Sequence, residues 1–197
     1  MRAAIFLAGL FLLLSTSAAA QGPAGVGSGP GYFSTGAHEE NRWNIAVGYQ
    51  YNRDDLLGIP FNTSGLNVSA ARFFDRWFAI EGQLGAGLTG TTGQSSTPPN
   101  LVVKSIFVGA GPRVAYRTRS RYEPWVHLLV GLEHYRFSQT AGVLGSNNSV
   151  AGTGGGGLDV YLNPHVAIRA GADMIVTDFF SANQRSFQIV GGVVLGF

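Results

Sequence analysis

The stretch Trp43-Asn44-Ile45-Ala46-Val47-Gly48-Tyr49-Gln50-Tyr51-Asn52 separates into two interleaved rows. Trp43, Ile45, Val47, Tyr49 and Tyr51 form a large apolar row. Asn44, Ala46, Gly48, Gln50 and Asn52 form a small polar one. A helix turns 3.6 residues at a time and would mix the two, whereas a strand sends alternate side chains to opposite faces and sorts them completely. The decapeptide therefore predicts a strand whose two faces meet different surroundings.

The same alternation recurs through the rest of the chain. At its end Phe187, Ile189, Gly191, Val193, Leu195 and Phe197 share one face, and Gln188, Val190, Gly192, Val194 and Gly196 the other. Six further runs lie between, over Ser64–Phe73, Trp77–Thr89, Leu101–Tyr116, Trp125–Phe137, Val150–Leu162 and Val166–Thr177. Eight strands result, most near the length that a tilted strand needs to cross a bilayer. Their connections alternate. Asp75-Arg76, Arg117–Tyr122 and Asn163-Pro164 are short, while Asn52–Asn62, Gly90–Asn100, Ser138–Ser149 and Asp178–Arg185 are longer and polar. Short turns at one end and long loops at the other are the pattern of membrane barrels, with the short turns and both termini on the periplasmic side. Trp43, Tyr51, Phe74, Phe78, Tyr116, Phe137, Phe187 and Phe197 fall near strand ends, where two aromatic girdles are expected.

The 197 residues allow one domain and a leader. Residues 1–20 read as a signal peptide: Arg2, then the apolar stretch Ile5 to Leu14, then Ala18-Ala19-Ala20 before Gln21. Residues 21–41, rich in Gly, Pro and Ser, read as a flexible lead-in to a barrel over 42–197. The absence of cysteine excludes a disulfide framework and a lipidated cysteine anchor. Charged residues make up 12% of the chain, about half the share of an ordinary soluble domain, which suits an outer wall that does not face water. Without Arg2 the chain carries 12 basic and 11 acidic residues, a balance that argues against a nucleic-acid partner.

If the large apolar row meets lipid, parity sends Glu81, Arg113, His127, Glu133, Asp159, Arg169 and Asp173 into the lumen. An eight-stranded bore is just wide enough for side chains to fill, so these charges must pair with one another or hold water. Turn symmetry sets Asp159 opposite Arg169 and Arg113 opposite His127, which predicts a central polar plug. The same register sets Lys104 opposite Arg136 on the outer wall near the extracellular rim. Like charges facing each other are unfavourable unless an anion sits between them, for which a lipopolysaccharide phosphate is the candidate, or unless both already lie in the loops and are solvated.

The chain resembles the small outer-membrane β-barrel family typified by the barrel of outer membrane protein A, over Arg42 to Phe197. The most specific shared motif is the last strand, where Gly192, Leu195 and Phe197 match the family's assembly signal and Val190 stands where that signal has a polar residue. The resemblance implies insertion by the barrel-assembly machinery into the outer membrane of a Gram-negative-type bacterium. It implies outer-membrane lipid and lipopolysaccharide as surroundings, and a monomer. The peptidoglycan-binding domain of the larger relatives is not expected after Phe197.

Other chemistry finds little footing. Gly152 to Gly157 formally contains G-x-G-x-x-G, but no helix follows, so it reads as strand and bend glycine. His38, His127, His134 and His165 lack the spacing of a helical zinc site. No metal or cofactor is expected. Barrel enzymes that remove acyl chains from lipid A carry a His-x-Ser pair, whereas here the serine after His134 is Ser138. Arg117, Arg119 and Arg121 read as a solvated basic turn. The sequence thus points to a non-enzymatic barrel with a structural or surface-interaction role, against the alternatives of a small porin-like channel and a lipid A-modifying enzyme.

Overall fold

The computed structural model describes residues 35–56, 59–88, 102–118, 120–139, 142–179 and 182–197. The leader, most of the lead-in and the stretch Gly90–Asn100 lie outside them. Among the described residues, eight antiparallel strands close into one barrel. They are β1 Trp43–Leu56, β2 Ile59–Phe73, β3 Phe78–Leu88, β4 Val102–Ala115, β5 Tyr122–Gln139, β6 Gly142–Asn163, β7 Val166–Phe179 and β8 Ala182–Gly196. Each strand pairs with its chain neighbour, and β8 returns to β1 with Val193 opposite Val47. At this seam Phe197 donates its N–H to the Trp43 carbonyl at 2.9 Å and accepts from the N–H groups of Arg42 and Trp43. Closure leaves no open edge along this ladder, as a spanning sheet requires.

The burial pattern is inverted relative to a soluble protein. Val47, Leu66, Leu84, Val126, Leu128, Met174 and Ile189 face outward, and Val130 on β5 is 64% exposed. Asn44, Gln50, Asn67, Gln83 and Gln188 are buried in the lumen. Burial of apolar area cannot drive this arrangement in water; it is stable where lipid tails take the place of solvent. Phe74, Trp77, Phe78, Tyr116, Tyr122 and Phe197 ring the end that carries the short turns, while Tyr51 and Phe187 lie toward the other. Within the first ring the Arg72 guanidinium lies 5.6 Å from the centroids of both Trp43 and Phe74.

Side-chain chemistry explains the short turns. Asp75 Oδ1 accepts from the backbone N–H of Trp77 and of Phe78, both at 2.7 Å. These two donors hold its carboxyl below the usual carboxylate range. Asn163 Oδ1 repeats the device, taking the N–H of His165 at 2.9 Å and of Val166 at 2.8 Å.

The long connections differ from the sequence expectation. Asn52–Asn62 is mostly ladder, with β1 running to Leu56 and β2 starting at Ile59. Likewise β5 and β6 stay paired out to Gln139 and Gly142, with a register shift at Phe137/Ser138, and β7 pairs with β8 out to Phe179 and Ala182. Hydrophobic alternation fades in these stretches. The backbone ladder needs no such alternation and continues.

The lead-in is also corrected at its end. Thr35–Glu40 forms a short 3-10 helix, and the chain from it into β1 is built into the mouth of the barrel at the end that carries the short turns. His38 is fully buried and stacks on Tyr161 with ring centroids 4.1 Å apart. The Asn41 amide donates to the Pro164 carbonyl at 2.7 Å, and Arg76 meets Glu39 at 2.8 Å.

Candidate functional site

Strand parity brings the inward charges into one connected cluster in the middle of the bore. Arg169 on β7 lies opposite Asp159 on β6. Its Nε donates to Oδ1 and its Nη2 to Oδ2, both at 2.8 Å. This fork-on-fork geometry is the strongest form of a guanidinium–carboxylate pair. Arg169 Nη1 also donates to Ser69 Oγ at 3.1 Å and lies 3.6 Å from Glu81. Arg113 on β4 crosses to the same carboxylates, donating to Asp159 Oδ2 at 3.0 Å and to Glu81 Oε1 at 3.4 Å.

Arg113 lies opposite His127 in the β4–β5 ladder. His127 in turn bridges two acids, with Nδ1 2.9 Å from Glu81 Oε2 and Nε2 3.1 Å from Asp173 Oδ1. A carboxylate only accepts, so the ring makes both contacts as a donor when each nitrogen carries a hydrogen. In that form Arg113, Arg117, Arg169 and His127 balance Glu81, Glu123, Asp159 and Asp173 charge for charge.

A tryptophan supports the cluster. The Trp125 ring lies 4.5 Å from the Arg113 guanidinium and 4.8 Å from that of Arg169, and its Nε1 donates to Asp159 Oδ1 at 3.0 Å. The indole needs a flat wall to lie on, and β6 and β7 supply it as glycine. A Cβ on Gly157 would stand 2.8 Å from Trp125 Cζ2, and one on Gly171 would stand 3.1 Å from the same ring. The Gly152 to Gly157 run is therefore strand, in which Gly155 and Gly157 on the inner row make room for the side chains of Asp173 and Trp125.

Below the cluster, Arg117 is not part of a solvated turn. It is buried beside Phe73, 4.1 Å from the ring centroid, and its Nε donates to Glu123 Oε2 at 3.1 Å. Its Nη1 donates to the Asn41 carbonyl at 2.9 Å and its Nη2 to the His38 carbonyl. Arg117 thus ties the 3-10 segment to the barrel. Arg121 stays exposed, and Arg119 lies outside the described residues.

The structure brings together six of the seven expected lumen charges and separates one. Glu133 is buried on the inner face but stands toward the outer end, near Asp54 and Tyr135. The expectation placed it by parity, which gives the face and not the height along the bore. Sequence reasoning missed Glu123, Trp125, Arg117 and His38. Within the Trp125–Phe137 run parity already set Trp125 on the face of His127, and starting that strand at Tyr122 would have added Glu123. Arg117 and His38 carried no signal, because their burial depends on the plug.

On the outer wall, Lys104 and Arg136 face each other across β4 and β5, and both are exposed. His134, two residues before Arg136, meets Asn148 Oδ1 at 2.5 Å. Of the three residues expected to form an assembly signal, Leu195 and Phe197 point outward, while Gly192 lies on the inner row. Among the described residues no group of three or more His, Cys, Asp or Glu side chains could hold a metal ion.

Solved structures of small outer-membrane proteins share this fold. The surface protein A of Neisseria superposes with a TM-score of 0.64 at 16% identity, over 79% of this chain and 97% of its own. The attachment invasion locus protein of Yersinia pestis gives 0.54 at 17% identity, over 79% and 99%. The outer membrane protein OprG of Pseudomonas aeruginosa gives 0.55 at 11% identity, over 80% and 96%. No curated protein sequence matches the chain. The family model of the outer membrane protein beta-barrel domain matches residues 6–193, and the chain belongs to that family.

Proposed function

We propose that this outer-membrane β-barrel is a closed, non-enzymatic scaffold that presents its outer hairpins at the bacterial surface and has no standing path for solutes. The observation that carries this reading is the filling of the bore. Arg113 is 0% exposed and spans between Glu81 and Asp159, and Arg117 with the Thr35–Glu40 segment occupies the mouth below. A water-filled pore would leave such groups hydrated. Ion pairs packed this tightly leave water no continuous column. The porin-like alternative therefore needs the cluster to come apart. Recognition falls to the outer hairpins, since loops and hairpins on a rigid frame are where specificity evolves most freely.

Export by the leader and insertion through the Gly192, Leu195 and Phe197 signal belong to the same reading, as does a monomeric state. So does contact between the Lys104–Arg136 pair and lipopolysaccharide phosphate, because an anion between them removes the repulsion that their register imposes. Planar-bilayer recording tests the closed scaffold: the wild-type barrel should give no reproducible conductance steps, and regular steps would refute it. Surface labelling of a cysteine introduced at Asn147 by a membrane-impermeant reagent on intact cells tests the orientation. Protection from the reagent would overturn it.

A further inference from the structure

Two carboxylates at the outer end of the lumen stand apart from the ion-paired cluster. Asp54 on β1 and Glu133 on β5 are each 3% exposed, although they come from opposite sides of the barrel. The hydroxyl of Tyr135 interacts with both. A phenol carries one hydrogen, so it serves only one carboxylate at a time. Thr63 Oγ1 donates to Asp54 Oδ2 at 3.1 Å, and the Ser186 hydroxyl also reaches Asp54. Glu133 Oε2 is fully buried without a hydrogen-bond partner, and so is Asn52 Oδ1, two residues before Asp54 on the same inner face. Among the described residues no Lys, Arg or His forms an ion pair with either acid. Glu81, Glu123, Asp159 and Asp173 all have one.

Two buried carboxylates with one shared hydroxyl and an unsatisfied oxygen demand positive charge at that place. We propose that the outer end of the lumen is a divalent-cation site, with Asp54 and Glu133 as its charged ligands and the hydroxyls of Tyr135, Thr63 and Ser186 as neutral oxygen donors. Every donor is oxygen, which selects a hard cation and disfavours zinc or copper. The charge of the two acids is matched by one doubly charged ion. Two carboxylates fill only part of a coordination shell, so hydroxyls and water complete it in an irregular arrangement. Calcium accepts such a shell of mixed oxygens, whereas magnesium demands a near-ideal octahedron. The ion would tie β1 to β5 across the mouth, as the arginines tie the strands below.

The test uses the full barrel refolded in zwitterionic detergent free of lipopolysaccharide, stripped with chelator and titrated with calcium chloride at neutral pH by calorimetry. The expected result is one calcium per barrel with a dissociation constant on the order of 10⁻⁴–10⁻³ M, and magnesium about tenfold weaker. Asp54→Asn and Glu133→Gln should each weaken calcium by about tenfold or more, because each removes one of the two charged ligands. Asp75→Asn, in a short turn at the opposite end of the barrel, should leave it unchanged. No calcium binding to the folded wild type overturns the proposal and means that protons neutralise the acids. Binding that survives both substitutions overturns it as well, by placing the ion elsewhere. Should a variant fail to refold, manganese broadening of wild-type NMR signals decides: broadening centred on Asp54, Glu133 and Tyr135 supports the site, and broadening elsewhere or none refutes it.

Discussion

Replacing Arg169 with alanine tests whether the bore is packed or hydrated. Arg169 supplies two of the four hydrogen bonds to Asp159, leaving that carboxylate with Arg113 and Trp125 alone. It also removes the bond to Ser69 and the approach to Glu81. Arg113, Arg117 and His127 would then face four acids, so one buried carboxylate loses its counter-charge. Breaking a buried pair in this way costs about 3–5 kcal/mol. Losing the guanidinium against Trp125 adds about 1 kcal/mol. With a urea slope of about 2 kcal/mol per molar, the unfolding midpoint should fall by about 2–3 M. Tryptophan fluorescence follows the transition in micelles, and heat-modifiable migration on gels reports the folded fraction. Adding Asp159→Asn to Arg169→Ala should recover part of the loss, because it removes the stranded charge. A midpoint shift below about 0.5 M would refute the packed cluster, since water would then be replacing the guanidinium at little cost, as at an exposed pair. A double variant less stable than Arg169→Ala alone would refute the charge argument.

Further outcomes follow from the same geometry. Gly157→Val should press on the Ala170 carbonyl of β7 as well as the indole of Trp125 and destabilise the barrel by about 1–3 kcal/mol through overpacking, seen as a changed tryptophan emission and a lower urea midpoint. Arg117→Ala should free the 3-10 segment from the mouth, so limited proteolysis near His38 should accelerate while the barrel itself stays folded. The Asp75 carboxyl is held below its usual range by two backbone donors, so its contribution is present above the ordinary carboxylate range and is lost as pH falls through its lowered folded value. Amide exchange at Trp77 and Phe78, corrected for the intrinsic rate, should quicken under those acidic conditions, and Asp75→Ala should show the quickening already at neutral pH. The Lys104→Ala/Arg136→Ala variant should bind lipopolysaccharide more weakly than the wild type in a micelle titration. Equal affinity would remove the phosphate from the outer-wall reading.

Alternation at residues such as Trp43 to Asn52 was enough to declare a strand, to divide its faces and to count eight such segments, because a period of two is a local property of extended backbone. Combined with the short turn at Asn163 it also set the register that pairs Asp159 with Arg169, and with the short turn after Arg117 the register that pairs Arg113 with His127 and Lys104 with Arg136. Position along the bore was not legible. Glu81 and Glu133 look alike in parity, yet closure and stagger send one to the arginines and the other to Asp54, a distinction made by strands far apart in the chain. Nor could the sequence show that β1, β5 and β6 continue past their alternating runs, since hydrogen-bonded backbone needs no hydrophobic signature. The burial of His38 and Arg117 likewise depends on a barrel mouth that exists only after eight strands have closed. Face is a matter of neighbours along the chain, and depth a matter of neighbours around the ring.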